Sequence, residues 1–237
     1  MKTQVIHATM RLLAFGVLSG LLLSCASSYW LDDARTLDRG NWRVDGQIMR
    51  QMAIQDDSGD ALSKYIWYLP NGTLRLSYGL TNRMDVGVIF NQFTLTGASW
   101  KYRLTRSNTG HILSIGGRTA LKSLLDYDEV SIYDGLRISS AVDGHLWYTR
   151  AFSRTAYTIQ PSIGMYYLNG QTDDKYKIIR HSYKIGYASM AFSLTSALDE
   201  NVDFRVGLQH SYLFDMEDKT RSFYTFNITW GVSYYIR

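Results

Sequence analysis

Between residues 73 and 91 the chain alternates between apolar and polar positions. Leu74, Leu76, Tyr78 and Leu80 fall on one side, and Thr73, Arg75, Ser77 and Gly79 on the other. A polar turn, Thr81-Asn82-Arg83, interrupts the pattern. It then resumes, with Met84, Val86, Val88 and Phe90 on the apolar side and Asp85, Gly87 and Asn91 opposite, where Ile89 joins them. A period of two means a strand with one apolar and one polar face. Two such strands around a short polar turn predict a hairpin.

The same period continues along the chain and predicts ten strands. Strand one covers 41–54, with Trp42, Val44, Ile48, Met52 and Ile54 on the apolar face and Arg50 breaking it. The hairpin supplies strands two and three. Strand four (98–104) turns Ala98, Trp100, Tyr102 and Leu104 one way, and strand five (111–121) sets Leu113, Ile115 and Leu121 against Ser114, Gly116 and Arg118. Strand six (136–148) carries Ile138, Val142, Leu146 and Tyr148 on its apolar face, and strand seven carries Tyr157, Ile159, Ile163, Met165 and Tyr167. Pro161 cannot donate to a ladder and predicts a bulge there. In strand eight (181–194) Tyr183, Ile185 and Tyr187 face outward, and the phase then shifts to Met190, Phe192 and Leu194, which implies a bulge near Ala188. Strand nine presents Phe204, Val206, Leu208 and Tyr212. Strand ten is the most regular, with Tyr224, Phe226, Ile228, Trp230, Val232, Tyr234 and Ile236.

The connections fall into two sets. Polar stretches at 55–70, 122–135 and 169–179 are long, and the turns after strands two, four, six and eight are short. No helical period long enough to cover the apolar face follows residue 25. These features predict an all-β fold, a transmembrane up-and-down antiparallel β-barrel of about ten strands whose outer face is solvated by lipid. Both ends of the barrel segment lie on the short-turn side, which is the periplasmic side in such proteins. The rival architecture is a periplasmic β-sandwich or lipocalin-like domain. There the Tyr224, Ile228 and Trp230 face would be a core and the Arg-rich face would meet solvent.

Composition supports strands: of 237 residues, 18 are Tyr, 19 Gly and only 2 Pro. The formal charge of +4 falls to about +2 without Lys2 and Arg11, too weak a balance for a nucleic-acid partner. Those two residues precede an apolar run over 12–23, and together they read as a secretory signal peptide over 1–24. The run is too short to span a membrane comfortably. Cys25 is the only cysteine, so no intrachain disulfide exists.

Leu22-Leu23-Ser24-Cys25 resembles the bacterial lipobox. The resemblance implies cleavage before Cys25 and acylation of its thiol. Ala26 stands where an Asp would signal retention at the inner membrane, so the resemblance to lipoprotein sorting implies the outer membrane. Residues 25–40 are then a lipidated periplasmic tether and 41–237 the barrel. The stretch 34–42 resembles the lead-in to the first strand of small bacterial outer-membrane barrels and barrel lipoproteins. The C-terminal strand resembles the assembly signal of such barrels, except that Arg237 is last and Tyr235 lies opposite Tyr234 and Ile236. The chain is thus similar to bacterial outer-membrane β-barrel proteins with a lipoprotein signal. The expected partners are outer-membrane lipid and lipopolysaccharide.

The polar face places Arg43, Asp45, Arg75, Asp85, Lys101, Arg103, Arg118, Arg137, Asp143, His145, Lys184 and Arg205 inside the barrel. Apart from His145 these are eight bases and three acids. A narrow barrel is largely filled by its side chains. One reading is an interior plugged by ion pairs in a protein with a structural or surface-interaction role. A second is a narrow, anion-preferring channel for a small anion. A third is a lipid-modifying enzyme. His210 and Ser211 are strand neighbours on opposite faces and cannot form a dyad. Asp143 and His145 share a face and could orient and activate Ser114 or Ser162. The His-x-Ser-Asn pattern associated with barrel deacylases is absent. No His, Cys or carboxylate spacing suits zinc, and Asp56-Asp57-Ser58-Gly59-Asp60 lacks the late Glu of a calcium loop. Neither a cofactor nor a metal is expected.

Overall fold

The computed structural model describes residues 30–56, 71–91, 95–107, 110–122, 137–174, 177–217 and 222–236. These form ten strands: β1 (Trp42–Asp56), β2 (Asn71–Thr81), β3 (Met84–Asn91), β4 (Leu95–Arg103), β5 (His111–Lys122), β6 (Arg137–Ala151), β7 (Thr155–Asp174), β8 (Lys177–Asp199), β9 (Val202–Asp215) and β10 (Ser222–Ile236). Each strand pairs antiparallel with the next, and β1 closes on β10. The fold is a closed, up-and-down, all-β barrel without a free edge.

The barrel is turned inside out relative to a soluble one. Trp42, Trp100, Tyr157, Ile163, Phe192 and Trp230 are each more than a third exposed on the outer wall. Arg43, Arg75, Lys101, Arg118 and Arg205 are buried inside. The β-sandwich and lipocalin-like rivals, which need the reverse, are thereby excluded. Aromatic side chains gather toward one rim, where Trp42 meets Tyr78 at 4.7 Å and Phe152 meets Tyr157 edge-on at 5.7 Å. Toward the other rim, Tyr212 stands between Phe214 and Tyr224 at 5.7 and 5.0 Å.

Three local expectations change. Residues 169–179 are not a loop: β7 and β8 stay paired out to Asp174 and Lys177. No bulge occurs at Pro161 or Ala188, where the β7–β8 register is unbroken. Tyr187 and Ile185 instead point inward, in phase with Ser189 and Ser193. Tyr187 fits because it lies over Gly164, where an added Cβ would come within 2.5 Å of its ring. Irregularities fall at Gln51/Ala53, Gly79/Thr81, Ile138/Ser140 and Ala197/Asp199, close to strand ends.

The largest departure concerns the expected tether. Residues 25–29 lie outside the described residues, but 30–38 enter the barrel. Trp30, Leu31, Asp32, Asp33, Ala34, Thr36 and Leu37 are buried there. The segment descends from the rim shared by the 82–83, 152–154 and 200–201 turns. It joins β1 through Gly40, whose φ of 88° is the left-handed conformation that glycine adopts readily. Gly40 N donates to Gly79 O, and Gly79 N donates to Asn41 O, both at 2.9 Å.

Candidate functional site

The lumen beneath this plug is organised around Asp32, which is fully buried. Its carboxylate accepts from Arg43 of β1 at 3.0 Å, Arg75 of β2 at 2.7 Å and Lys101 of β4 at 2.9 Å. Arg205 of β9 lies 3.6 Å away. Four strands therefore aim cations at one carboxylate. Burial alone would raise the Asp32 pKa, but Arg43, Lys101, Arg75 and Arg205 outweigh it and hold this carboxyl well below its ordinary range. Asp33 is likewise held down, against burial, by Arg35 and Arg205.

Main-chain groups fix the register of the plug. Asp32 N donates to Gln160 Oε1 at 3.2 Å, and Gln160 Nε2 donates to Trp30 O at 2.8 Å. Leu31 N donates to Gln47 Oε1 at 3.1 Å, while Gln47 Nε2 returns a bond to Leu31 O. Ala34 N donates to Thr149 Oγ1, and Leu37 N to Asp85 Oδ1, both at 2.8 Å. Arg205 donates to Leu31 O at 2.9 Å, and Lys101 to Asp33 O at 3.0 Å. A buried extended segment with no sheet partner must satisfy its backbone this way. Apolar contacts complete the seat: Ala34 packs with Ile112 and Trp147. Leu31 lies over Gly207, where a Cβ would approach its Cδ1 to 2.4 Å. The ring of Trp30 sits 5.7 Å from the Arg75 guanidinium.

Most of the residues anticipated inside are there. Asp45 accepts from Arg43 at 2.9 Å, and Asp85 lies 3.7 Å from Lys101. Arg103 donates to Asn82 O at 2.8 Å at the rim. Arg118, Asp143 and His145 form a second cluster deeper in the lumen. There Arg118 Nε and Tyr187 OH donate to Asp143 at 2.6 and 2.9 Å. Lys184 is a correction: it is exposed, with its ammonium 3.9 Å from Glu217. The unbroken phase that turns Tyr187 inward turns Lys184 outward. Arg137 begins β6, and its side chain lies outside the described residues.

The structure does not assemble the candidate dyad. His145 Nε2 meets Asp143 Oδ1 at 2.5 Å, and its Nδ1 meets Gln160 Nε2 at 3.0 Å. Both ring nitrogens are engaged. Ser162 bonds Ser189, and Ser114 donates to Ala34 O. Strand alternation does not point to Asp32 or Asp33, which lie outside the strands, whereas Asp203 continues the inward phase of Arg205 in β9 and reads in the sequence as the end of a turn. Asp203 accepts from Arg35 at 3.0 Å and from Tyr235 at 2.9 Å. Charge balance does carry a signal: eight bases expected inside against three acids require carboxylates from elsewhere, and six of those bases are buried among the described residues.

No protein-family model matches the chain, and no curated protein does. Among solved structures it is similar to the outer-membrane protease OmpT of Escherichia coli, with 10% identity, 83% of this chain and 94% of that one covered, and a TM-score of 0.46. Neisserial surface protein A gives 10% identity, 83% and 99% coverage, and a TM-score of 0.41. An outer-membrane channel of Pseudomonas putida gives 13% identity, 88% and 100% coverage, and a TM-score of 0.39. Likenesses at this level carry no functional argument.

Proposed function

We propose that the chain is a bacterial outer-membrane β-barrel whose lumen is closed by its own N-terminal segment. Its role on this reading is structural or surface-interacting. The observation that carries the proposal is the pairing of an exposed apolar outer wall with a buried ionic lumen. Lipid is the solvent that such an exterior requires, and a closed barrel is the β-structure that satisfies every backbone group in lipid. The aromatic groups toward both rims suit the two membrane interfaces. Detergent-dependent extraction and heat-modifiable gel migration are expected. Recovery in the soluble fraction without detergent would overturn the reading.

Acylation of Cys25 belongs to the same proposal, and the plug sharpens it. Trp30 is held by Gln160 and Arg75, well inside the rim. Cys25 lies five residues earlier, a reach of about 17 Å when extended. Palmitate labelling that vanishes in Cys25→Ser is expected. Absence of label in the parent chain would remove the anchor and leave the barrel standing.

A further inference from the structure

We propose that the plug occupies a dianion site on the barrel wall, and that Asp32 and Asp33 stand where a phosphate or a dicarboxylate would bind. The wall alone is unbalanced. Arg43, Arg75, Lys101 and Arg205 face the site, and among the described residues Asp45 and Asp85 are the wall carboxylates that pair with them. Four cations against two carboxylates leave an excess of two positive charges. The plug contributes two negative ones, through Asp32 on all four cations and Asp33 at 3.5 Å from Arg205. Its own Arg35 bridges the plug's Asp33 at 2.6 Å and the wall's Asp203 at 3.0 Å, so the positive charge that the plug brings is met by that further wall carboxylate.

The donors are arranged for an oxyanion. Guanidinium and ammonium groups from β1, β2, β4 and β9 converge on one pair of oxygens, and guanidinium forks match the planar edge of a carboxylate or the face of a phosphate. Arg75 Nε is buried and lacks a partner among the described residues, so one donor remains for a ligand larger than a carboxylate. Because these cations are fixed by the barrel, they remain aimed at the lumen when the plug is withdrawn. Gly40, left-handed at the junction with β1, is the position about which segment 30–38 would turn to leave through the rim, with all ten strands kept. A dianion in the lumen competes with Asp32 and Asp33 for the same donors. The open barrel then carries a constriction that selects anions.

The dianion site presupposes the barrel reading, which heat-modifiable migration checks in the same samples. The test uses the full chain in detergent and the double variant Asp32→Asn, Asp33→Asn. Inorganic phosphate and succinate are compared with chloride at matched ionic strength. The unfolding midpoint of the variant is expected to rise by roughly 5–10 °C when phosphate exceeds its dissociation constant a hundredfold, and chloride should not reproduce this. The parent chain, with its site filled, should respond far less. An equal response in both proteins, or none in the folded variant, would overturn the proposal. If the variant does not fold, protease cleavage within 30–38 of the parent chain is timed instead. Faster cleavage in phosphate than in chloride supports competition, and equal rates overturn it.

Discussion

The two halves of the lumen obey the same alternation but are filled differently. At the plug end, Asp32, Asp33, Asp45 and Asp85 interlock with five bases, and Leu37 N and Ser233 Oγ add bonds to Asp85 and Asp45. Deeper in, beside the Arg118, Asp143 and His145 cluster on β5 and β6, the wall of β7 to β10 is lined by the uncharged Ser162, Ser189, Gln209, Ser211 and Asn227. There Gln209 Oε1, Ser211 Oγ and Asn227 Oδ1 are buried without a partner among the described residues. The first half is a closed ionic joint, in which every charge depends on another. The second is a neutral lining whose spare polar atoms suit water. Alternation therefore decides which residues face inward, whereas charge decides how tightly the interior is committed.

The sharpest way to break this comparison is to remove the centre of the ionic half. Asp32→Ala leaves four buried cations without their shared acceptor, and loss of one partner of a buried pair costs about 3–5 kcal/mol. Denaturant unfolding in detergent should show this, with protease access to 30–38. Gln209→Leu, in the neutral half, should cost under about 1 kcal/mol, because its carbonyl oxygen is already unpaired. If the two variants lose equal stability, the distinction between the halves is wrong.

Glycine substitutions give a middle-sized contrast. An alanine Cβ at Gly79 would come within 2.2 Å of Asp38 O, a main-chain atom at the root of the plug. About 1–3 kcal/mol of destabilisation is expected in the same unfolding assay. At Gly186 the clash is with the ring of Phe214, at 2.4 Å. That side chain can turn aside, so Gly186→Ala should cost less. Ser211→Ala should be nearly silent, within about 0.5 kcal/mol.

The smallest effect concerns pH. Asp32 and Asp33 are held below their ordinary range when the plug is seated. A depressed folded-state pKa gives stability that is complete above the unfolded carboxylate value, about 3.9, and is lost as pH falls below it. Protease access to the plug should therefore be flat from pH 8 to about pH 4 and should rise only in stronger acid. A rise near neutrality would mean that the carboxylates do not hold the plug.

The barrel is legible in the sequence because its outer face is chemically uniform. From Phe204 to Leu208 in β9 and from Tyr224 to Tyr234 in β10 each apolar residue alternates with a polar or small one, and there the inward and outward sets separate without ambiguity. In β8 both faces carry aromatic or aliphatic groups, so local pattern does not decide whether Tyr187 or Ala188 faces the lumen. Packing over Gly164 decides it, and that contact is visible only across strands. The same ambiguity misplaces Lys184. The plug escapes for a different reason: residues 30–38 have no period, because their surroundings are polar and apolar on every side. Asp32 is matched by residues as near in the chain as Arg43 and as far as Arg205. Such a match follows from closure of the barrel and from no local rule.

The direction of the plug has a practical consequence. Segment 30–38 enters from the rim where β1 begins, so residue 30 is the innermost end and residue 38 the outermost. Any fusion partner or affinity tag placed directly before Trp30 would start inside a narrow lumen already occupied by Arg75, Gln47 and Gln160. A tag attached at the C-terminal end would meet no such barrier, since β10 ends at the rim. A purification strategy for this barrel should therefore tag that end, and an N-terminal tag becomes a tool for holding the plug out.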